Sequence, residues 1–140
     1  MRALPLIRWM RPDEEAKVRA CRRVCHQSGD DPLDGFYVAH PTLVVEVKGR
    51  VIAFTSFTLS PTEKGYVCYG VDLCVRPDNR RQGIGRALHE ERCRIAKEHG
   101  ATAFVGTVEP GNEPMIRLLD TAGFPYASSA EGRHFHIGDL

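Results

Sequence analysis

Chemistry-bearing residues concentrate in one stretch, Val71-Asp72-Leu73-Cys74-Val75-Arg76-Pro77-Asp78-Asn79-Arg80-Arg81-Gln82-Gly83-Ile84-Gly85-Arg86-Ala87-Leu88. Arg76, Arg80, Arg81 and Arg86 set four cations within eleven residues of a chain whose formal charge is only +1. Gly83 and Gly85 let backbone amides come close to a ligand, and a helix opening there adds positive potential. Together these features describe a cradle for a diphosphate. The same residues also suit a solvated arginine face beside a tight turn. Two other phosphate motifs do not fit. No Lys-Ser or Lys-Thr follows the glycines, so the P-loop mechanics are missing. Leu88 stands where GxGxxG needs its third glycine, and strands lead up to the motif where a dinucleotide fold would open with it.

The elements that must position this loop follow from the rest of the sequence. Its 140 residues are enough for a single domain over 1–140, and 42% apolar with 26% charged residues is the balance of a soluble globular chain. Nineteen basic against eighteen acidic residues exclude bulk electrostatic binding of long nucleic acid or of an anionic membrane. No apolar run nears the ~20 residues of a membrane span. Met1 to Ile7 is interrupted by Pro5 and followed by Arg8, so it does not read as a signal peptide. Cys21, Cys25, Cys68, Cys74 and Cys93 are odd in number and lack CxxC or Cys/His zinc spacing. They read as reduced thiols of a cytoplasmic protein, with no metal site expected.

A loose alternation predicts a strand over 4–10. Pro12 with Asp13, Glu14 and Glu15 opens a helix to about Cys25, ahead of the turn-rich 28–32. Strands are expected at 42–47 and 51–59 around Lys48-Gly49-Arg50, a hairpin signal, then a polar loop at 60–65 and a strand at 66–75. A helix follows from about Gly83 to Glu98, closed by His99-Gly100. Then come a strand at 102–108, an Asn112-capped helix to about Ala122, and short strands near 124–128 and 133–137. This order is a mixed α/β sheet with helices on its faces.

Arg80-x-x-Gly83-x-Gly85, preceded by Leu73-x-Val75-x-Pro77, resembles the acyl-coenzyme A signature of the GCN5-related N-acetyltransferases (GNAT). Val108, Asn112 and Met115-Ile116-Arg117-Leu118-Leu119-Asp120-Thr121-Ala122-Gly123-Phe124 are similar to that family's second motif. The resemblance implies a GNAT fold, a mixed central sheet of about six to seven strands flanked by about three to four helices. It also implies acetyl-CoA as cosubstrate and an amine-bearing acceptor. The diphosphate would lie on the amides of Arg80, Arg81, Gln82, Gly83, Ile84 and Gly85, with Arg81 or Arg86 adding side-chain contacts. The pantetheine arm would run along the backbone of Leu73, Cys74 and Val75. Asn112 would bond to that arm, with Met115 and Leu119 beside it, a role compatible with plain helix capping. Homodimers are common in the family, so a homodimer is a further expectation.

Acyl transfer needs a deprotonated amine, a donor for the oxyanion and a route for the thiolate to leave. A backbone N–H near Leu73 or Cys74 would be the oxyanion donor. Asp72 is the candidate base, with a structural carboxylate or a substrate anchor as its other readings and Glu109 as a weaker base. Where the family places a tyrosine in the second-motif helix, this chain has Leu119, which leaves the acid in doubt; Tyr126, or more distantly Tyr69, could replace it. Cys74 among apolar neighbours reads as an inert thiol. His134 and His136 share a strand face but have no third ligand nearby in sequence, so an ordinary surface or substrate-cleft strand is expected there. His89 is expected on the surface, and Glu91 falls near the apolar stripe of its helix. The acceptor should lie against the first helix, segment 28–40 and the C-terminal strands. There Asp30, Asp31 and Asp34 either attract a cationic amine or are a polar loop. Two other functions fit the same loop: a non-catalytic acyl-CoA-binding module, or an acyltransferase using another acyl donor or a hydroxyl acceptor.

Overall fold

The computed structural model describes residues 5–25 and 32–140. In chain order the elements are β1 (Ile7–Trp9), a 3-10 turn (Pro12–Glu14), α1 (Glu15–Cys25), α2 (Phe36–Ala39), β2 (Thr42–Val47), β3 (Arg50–Thr62) and β4 (Gly65–Val75). A second 3-10 turn (Pro77–Asn79), α3 (Ile84–Glu98), β5 (Ala101–Val108), α4 (Glu113–Thr121), β6 (Tyr126–Ala130) and β7 (Arg133–Asp139) complete them. The strands form a seven-stranded sheet in the order β1-β2-β3-β4-β5-β7-β6. β4 and β5 pair in parallel, while β1–β2, β2–β3, β5–β7 and β6–β7 are antiparallel. A parallel pair needs a crossover, and α3 supplies it. This is the mixed sheet with four helices that the motifs implied. No helix among the described residues is long and apolar enough to cross a membrane.

Two compact units divide the chain: Met1–Phe57 with Asp72–His89, and Thr58–Val71 with Glu90–Leu140. In the first, Leu43, Val44 and Val45 of β2 and Val51 through Phe57 of β3 are buried without alternation, as strands covered on both faces are. Val18 and Cys21 of α1, Tyr37 of α2 and Cys74 of β4 join Val44, Val51 and Phe54 in one apolar cluster. Lys48 (φ 52°) and Gly49 (φ 79°) make the two-residue turn with both central residues left-handed that suits hairpin twist.

Glu14 is buried against Arg8, whose two terminal nitrogens each donate to one of its oxygens at 2.8 Å. The Arg11 N–H adds a third bond at 2.8 Å. The Arg8 hydrogen bonds, opposed by burial, hold the Glu14 carboxyl at about 2, below its ordinary value of 4.5. A depressed carboxylate stabilises the fold above its unfolded pKa, and that contribution fades as pH falls through the folded value. Urea midpoints should therefore drop between pH 4.5 and 2, and Glu14→Gln should flatten that component.

The polar loop expected at 60–65 is mostly strand. The Thr62 hydroxyl donates to Gly65 O (2.7 Å) and accepts from the Lys64 N–H (3.2 Å), so Glu63 and Lys64 alone make the turn. The strand expected near 124–128 begins later, at Tyr126, because the Phe124 N–H still donates to Leu119 O (2.9 Å) and closes α4.

The second unit packs Phe104 of β5 against Phe124, ring centroids 5.0 Å apart, with the Arg92 guanidinium 4.8 Å from the Phe104 centroid. A β-carbon at Gly138 would lie 2.5 Å from Gly123 O and 2.6 Å from Phe124 Cδ1. One of those neighbours is backbone and cannot turn away. Gly138→Ala should cost about 1–3 kcal/mol of stability, read by urea denaturation. The buried stripe of α3 runs Ile84, Leu88, His89, Arg92, Ile95, Ala96. His89 is thus buried, not on the surface as expected. Glu91 lies off the stripe and pairs with Arg94, which holds its carboxyl below the ordinary range.

Candidate active site

β4 ends in Asp72, Leu73, Cys74 and Val75, and Arg76 then bolts the chain down. Its N–H donates to Ile52 O at 2.8 Å and its Nε to Val51 O at 2.8 Å. Arg76 is buried, so it leaves the cationic face that its sequence position implied and serves as an anchor. Pro77 opens the 3-10 turn, and the Asn79 N–H donates to Arg76 O (2.9 Å). Arg80 Nε then donates to Val75 O (3.0 Å), folding the loop back on the strand end.

Arg81 (φ 63°) and Gly83 (φ 80°) are both left-handed. The Ala87 N–H donates to Gly83 O (3.0 Å), the first helical bond of α3. The amides of Ile84, Gly85 and Arg86 therefore have no acceptor within the helix itself. Arg80, Arg81, Gln82, Gly83 and Arg86 are exposed, Gly85 half-buried and Ile84 buried. The loop thus presents three cationic side chains and a turn of amides at the N-terminus of a fifteen-residue helix. That combination binds oxyanions of phosphate. Ile84 has only its amide to offer a ligand, since its side chain is buried.

Asp72 is 14% exposed at its side chain. Tyr37 Oη donates to its Oδ2 at 2.9 Å, and Arg22 Nε lies 3.5 Å from the same oxygen. Cys74 Sγ donates to Oδ1 at 3.6 Å, and Thr55 Oγ1 donates to the Asp72 carbonyl at 2.7 Å. Burial, and then the Asp72 charge, push the Tyr37 phenol well above its ordinary value, so it remains a proton donor to the carboxylate. The Cys25 hydrogen bond and burial push the Cys74 thiol up. A thiol held protonated is not a nucleophile. Burial also raises Cys68 to about 12 and Cys93 to about 11.

Most of the remaining site candidates lie in the second unit. Asn112 is exposed and caps α4, its Oδ1 accepting from the Met115 N–H at 3.4 Å. Met115 is half-buried, whereas Leu119 is buried with its Cδ1 beside Gly106. Tyr126 is exposed, its hydroxyl 2.6 Å from Ser129 Oγ and its ring against His134 and His136. Tyr69 and Glu109 are exposed, and Glu109 lies 4.0 Å from Arg133. His136 is fully buried, Nδ1 2.9 Å from Phe124 O and 3.4 Å from Asp120 Oδ1, so it is a core residue and not a surface one. Asp34 is exposed near Arg19; Asp30 and Asp31 lie outside the described residues.

Sequence reasoning missed Tyr37, Arg22 and Glu15. Glu15, Arg19 and Arg22 stand at helical spacing i, i+4, i+7, a shared-face signal legible in the sequence.

The model of the acetyltransferase (GNAT) family matches residues 5–124. The L-2,4-diaminobutyric acid acetyltransferase of Nocardia farcinica (strain IFM 10152) is 32% identical over 78 residues, 56% of this chain and 40% of that protein. The chain thus spans under half the length of that curated relative. Among solved structures, Arabidopsis thaliana NAA60 in complex with a bisubstrate analogue superposes with a TM-score of 0.82 at 15% identity, covering 96% of this chain and 98% of that one. Salmonella typhimurium yncA with its cofactor acetyl-CoA gives a TM-score of 0.77 at 19% identity, covering 99% and 95%. At such identities the likeness is one of fold. The family match, which takes in β4, the arginine–glycine loop and α4, makes this chain a member of the acetyltransferase (GNAT) family.

Proposed function

We propose that the protein is an acetyl-CoA-dependent N-acetyltransferase that moves the acetyl group directly to a primary amine within a ternary complex. The observation that carries this reading is the loop from Arg80 to Arg86, left-handed at Arg81 and Gly83 and opening α3 with three exposed cations. Arg80, Arg81 and Arg86 neutralise the diphosphate while the first-turn amides of α3 bond to it. The backbone of Leu73 to Val75 aligns the pantetheine arm. An N–H near Leu73 or Cys74 bonds to the oxyanion as the amine nitrogen adds to the thioester carbon. Asp72 takes the proton the amine loses, the C–S bond breaks, and coenzyme A leaves as thiolate and then thiol. Asn112, Met115 and Leu119 as pantetheine contacts, and Tyr126 as proton donor, belong to the same proposal.

L-2,4-Diaminobutyrate, the acid named for the Nocardia relative, heads the panel of acceptors, followed by short peptides with free N-termini. The test is chromatographic detection of free coenzyme A and acetylated amine from acetyl-CoA plus each acceptor. Acetylated product from any of them supports the reading. Coenzyme bound with no turnover on any amine favours the non-catalytic module instead, the reading that Leu119 in place of a tyrosine supports. The cytoplasmic location is part of the same proposal, supported by five cysteines that form no disulfide, as is the homodimer the resemblance implies.

A further inference from the structure

We propose that Glu15 and Tyr37 are positioning residues that fix the Asp72 carboxylate, a role that rests on the reading of Asp72 as the base. Glu15 Oε1 accepts from the Gly35 N–H at 2.7 Å, and Oε2 accepts from the N–H groups of Tyr37 at 2.9 Å and Val38 at 3.0 Å. One turn along, Arg19 Nη1 donates to Pro32 O at 2.6 Å and Nη2 to Leu33 O. A carboxylate thus holds the amides of segment 32–38 while a guanidinium holds its carbonyls.

This clamp matters because α2 has only four residues and cannot hold itself by its own hydrogen bonds. Burial works against the charge of Glu15. The amides of Gly35 and Val38 and the Arg19 cation outweigh it, and the Glu15 carboxyl lies below its ordinary range. The clamp therefore stays ionised at neutral pH.

What α2 delivers is the Tyr37 side chain. It is fully buried, with its ring edge-on to Phe54 at 5.2 Å and its hydroxyl on Asp72 Oδ2. Arg22 approaches the same oxygen from α1. Among the described residues, the titratable and charged groups around Asp72 include Tyr37 from α2, Arg22 and Cys21 from α1, Cys74 beside it on β4, Cys25 next to Cys74, and Arg76, which acts with Asp72 on Cys21. Oδ2 is held by a phenol and a guanidinium and Oδ1 by the Cys74 thiol at 3.6 Å, which fixes the rotation of the carboxyl. A general base gains from a fixed orientation in the same way that any catalytic group does.

The test uses the full chain and the Asp72 side-chain carboxyl resonance followed by 13C NMR against pH, assigned by its loss in Asp72→Asn. Tyr37→Phe keeps the buried ring and deletes only the donor to the charged form. The Asp72 midpoint should rise by about one pH unit. Glu15→Gln should raise it in the same direction, and should add nothing in a Tyr37→Phe background. An unmoved midpoint in Tyr37→Phe, or a Glu15→Gln shift that persists undiminished in the double variant, overturns the proposal. On a productive acceptor, Tyr37→Phe should lower kcat about tenfold and leave the Kd for acetyl-CoA unchanged. If wild type turns over no amine, the acetyltransferase reading fails while the titration still decides the positioning.

Discussion

Replacing Gly83 with aspartate should abolish acetyl-CoA binding in a calorimetric titration. Two effects act together. At φ 80°, a β-carbon costs about 1–2 kcal/mol in backbone strain. The new carboxylate also stands at the start of α3, where the reading puts a diphosphate. Two like charges ~4 Å apart at an effective dielectric of ~20 repel by about 4 kcal/mol. The sum is a loss of at least about a thousandfold, beyond the range of a millimolar titration. Gly83→Ala separates the two effects, since it carries the strain without the charge and should weaken binding only about tenfold. Circular dichroism checks that both variants fold. A Gly83→Asp protein that binds with wild-type affinity would contradict the cradle.

Asp72→Asn should lower kcat by a factor of about 10² to 10⁴, the usual contribution of a general base, and leave the Kd for acetyl-CoA unchanged. The amide oxygen can still accept from Tyr37, so the packing around Oδ2 survives the substitution and the effect reads proton transfer. The acidic limb of the pH–rate profile should disappear with the carboxylate. Wild-type kcat and an unchanged profile would leave Asp72 as a structural carboxylate, held by Arg22 and Tyr37 for the sake of the fold. The base would then have to be sought elsewhere, with Glu109 the next carboxylate to replace.

Both predictions concern residues whose importance is legible in the chain itself, and the reason is that their signals are local. Gly83, Gly85 and the arginines between 80 and 86 announce a turn into a helix within one short window. Asn112 announces the α4 cap in the same way, and Lys48-Gly49 the hairpin. What was not legible depends on partners distant in sequence. Arg76 looks like a fourth cation until the carbonyls of Val51 and Ile52 bury it. His89 and Arg92 look like surface residues by type, yet they continue the buried stripe of α3. The α2 turn has no pattern of its own because its amides are satisfied by Glu15, twenty residues before the first of them. His136 reads as part of an ordinary surface or cleft strand until the Phe124 carbonyl and Asp120 are seen beside it. In each case a polar group is buried or satisfied by the tertiary structure, and residue type alone says nothing of its surroundings.

Thermal unfolding with and without ligand tests the proposal that the arginine–glycine loop before α3 holds the diphosphate of acetyl-CoA. A ligand that binds only the native state raises the midpoint by mass action, with about 2.7 kcal/mol gained at a hundred times Kd. Both acetyl-CoA and free coenzyme A share the diphosphate, so both should raise the midpoint by several degrees, and Gly83→Asp should lose both shifts. No shift at millimolar concentration of either ligand would contradict the cradle, and the acetyltransferase reading would fall with it.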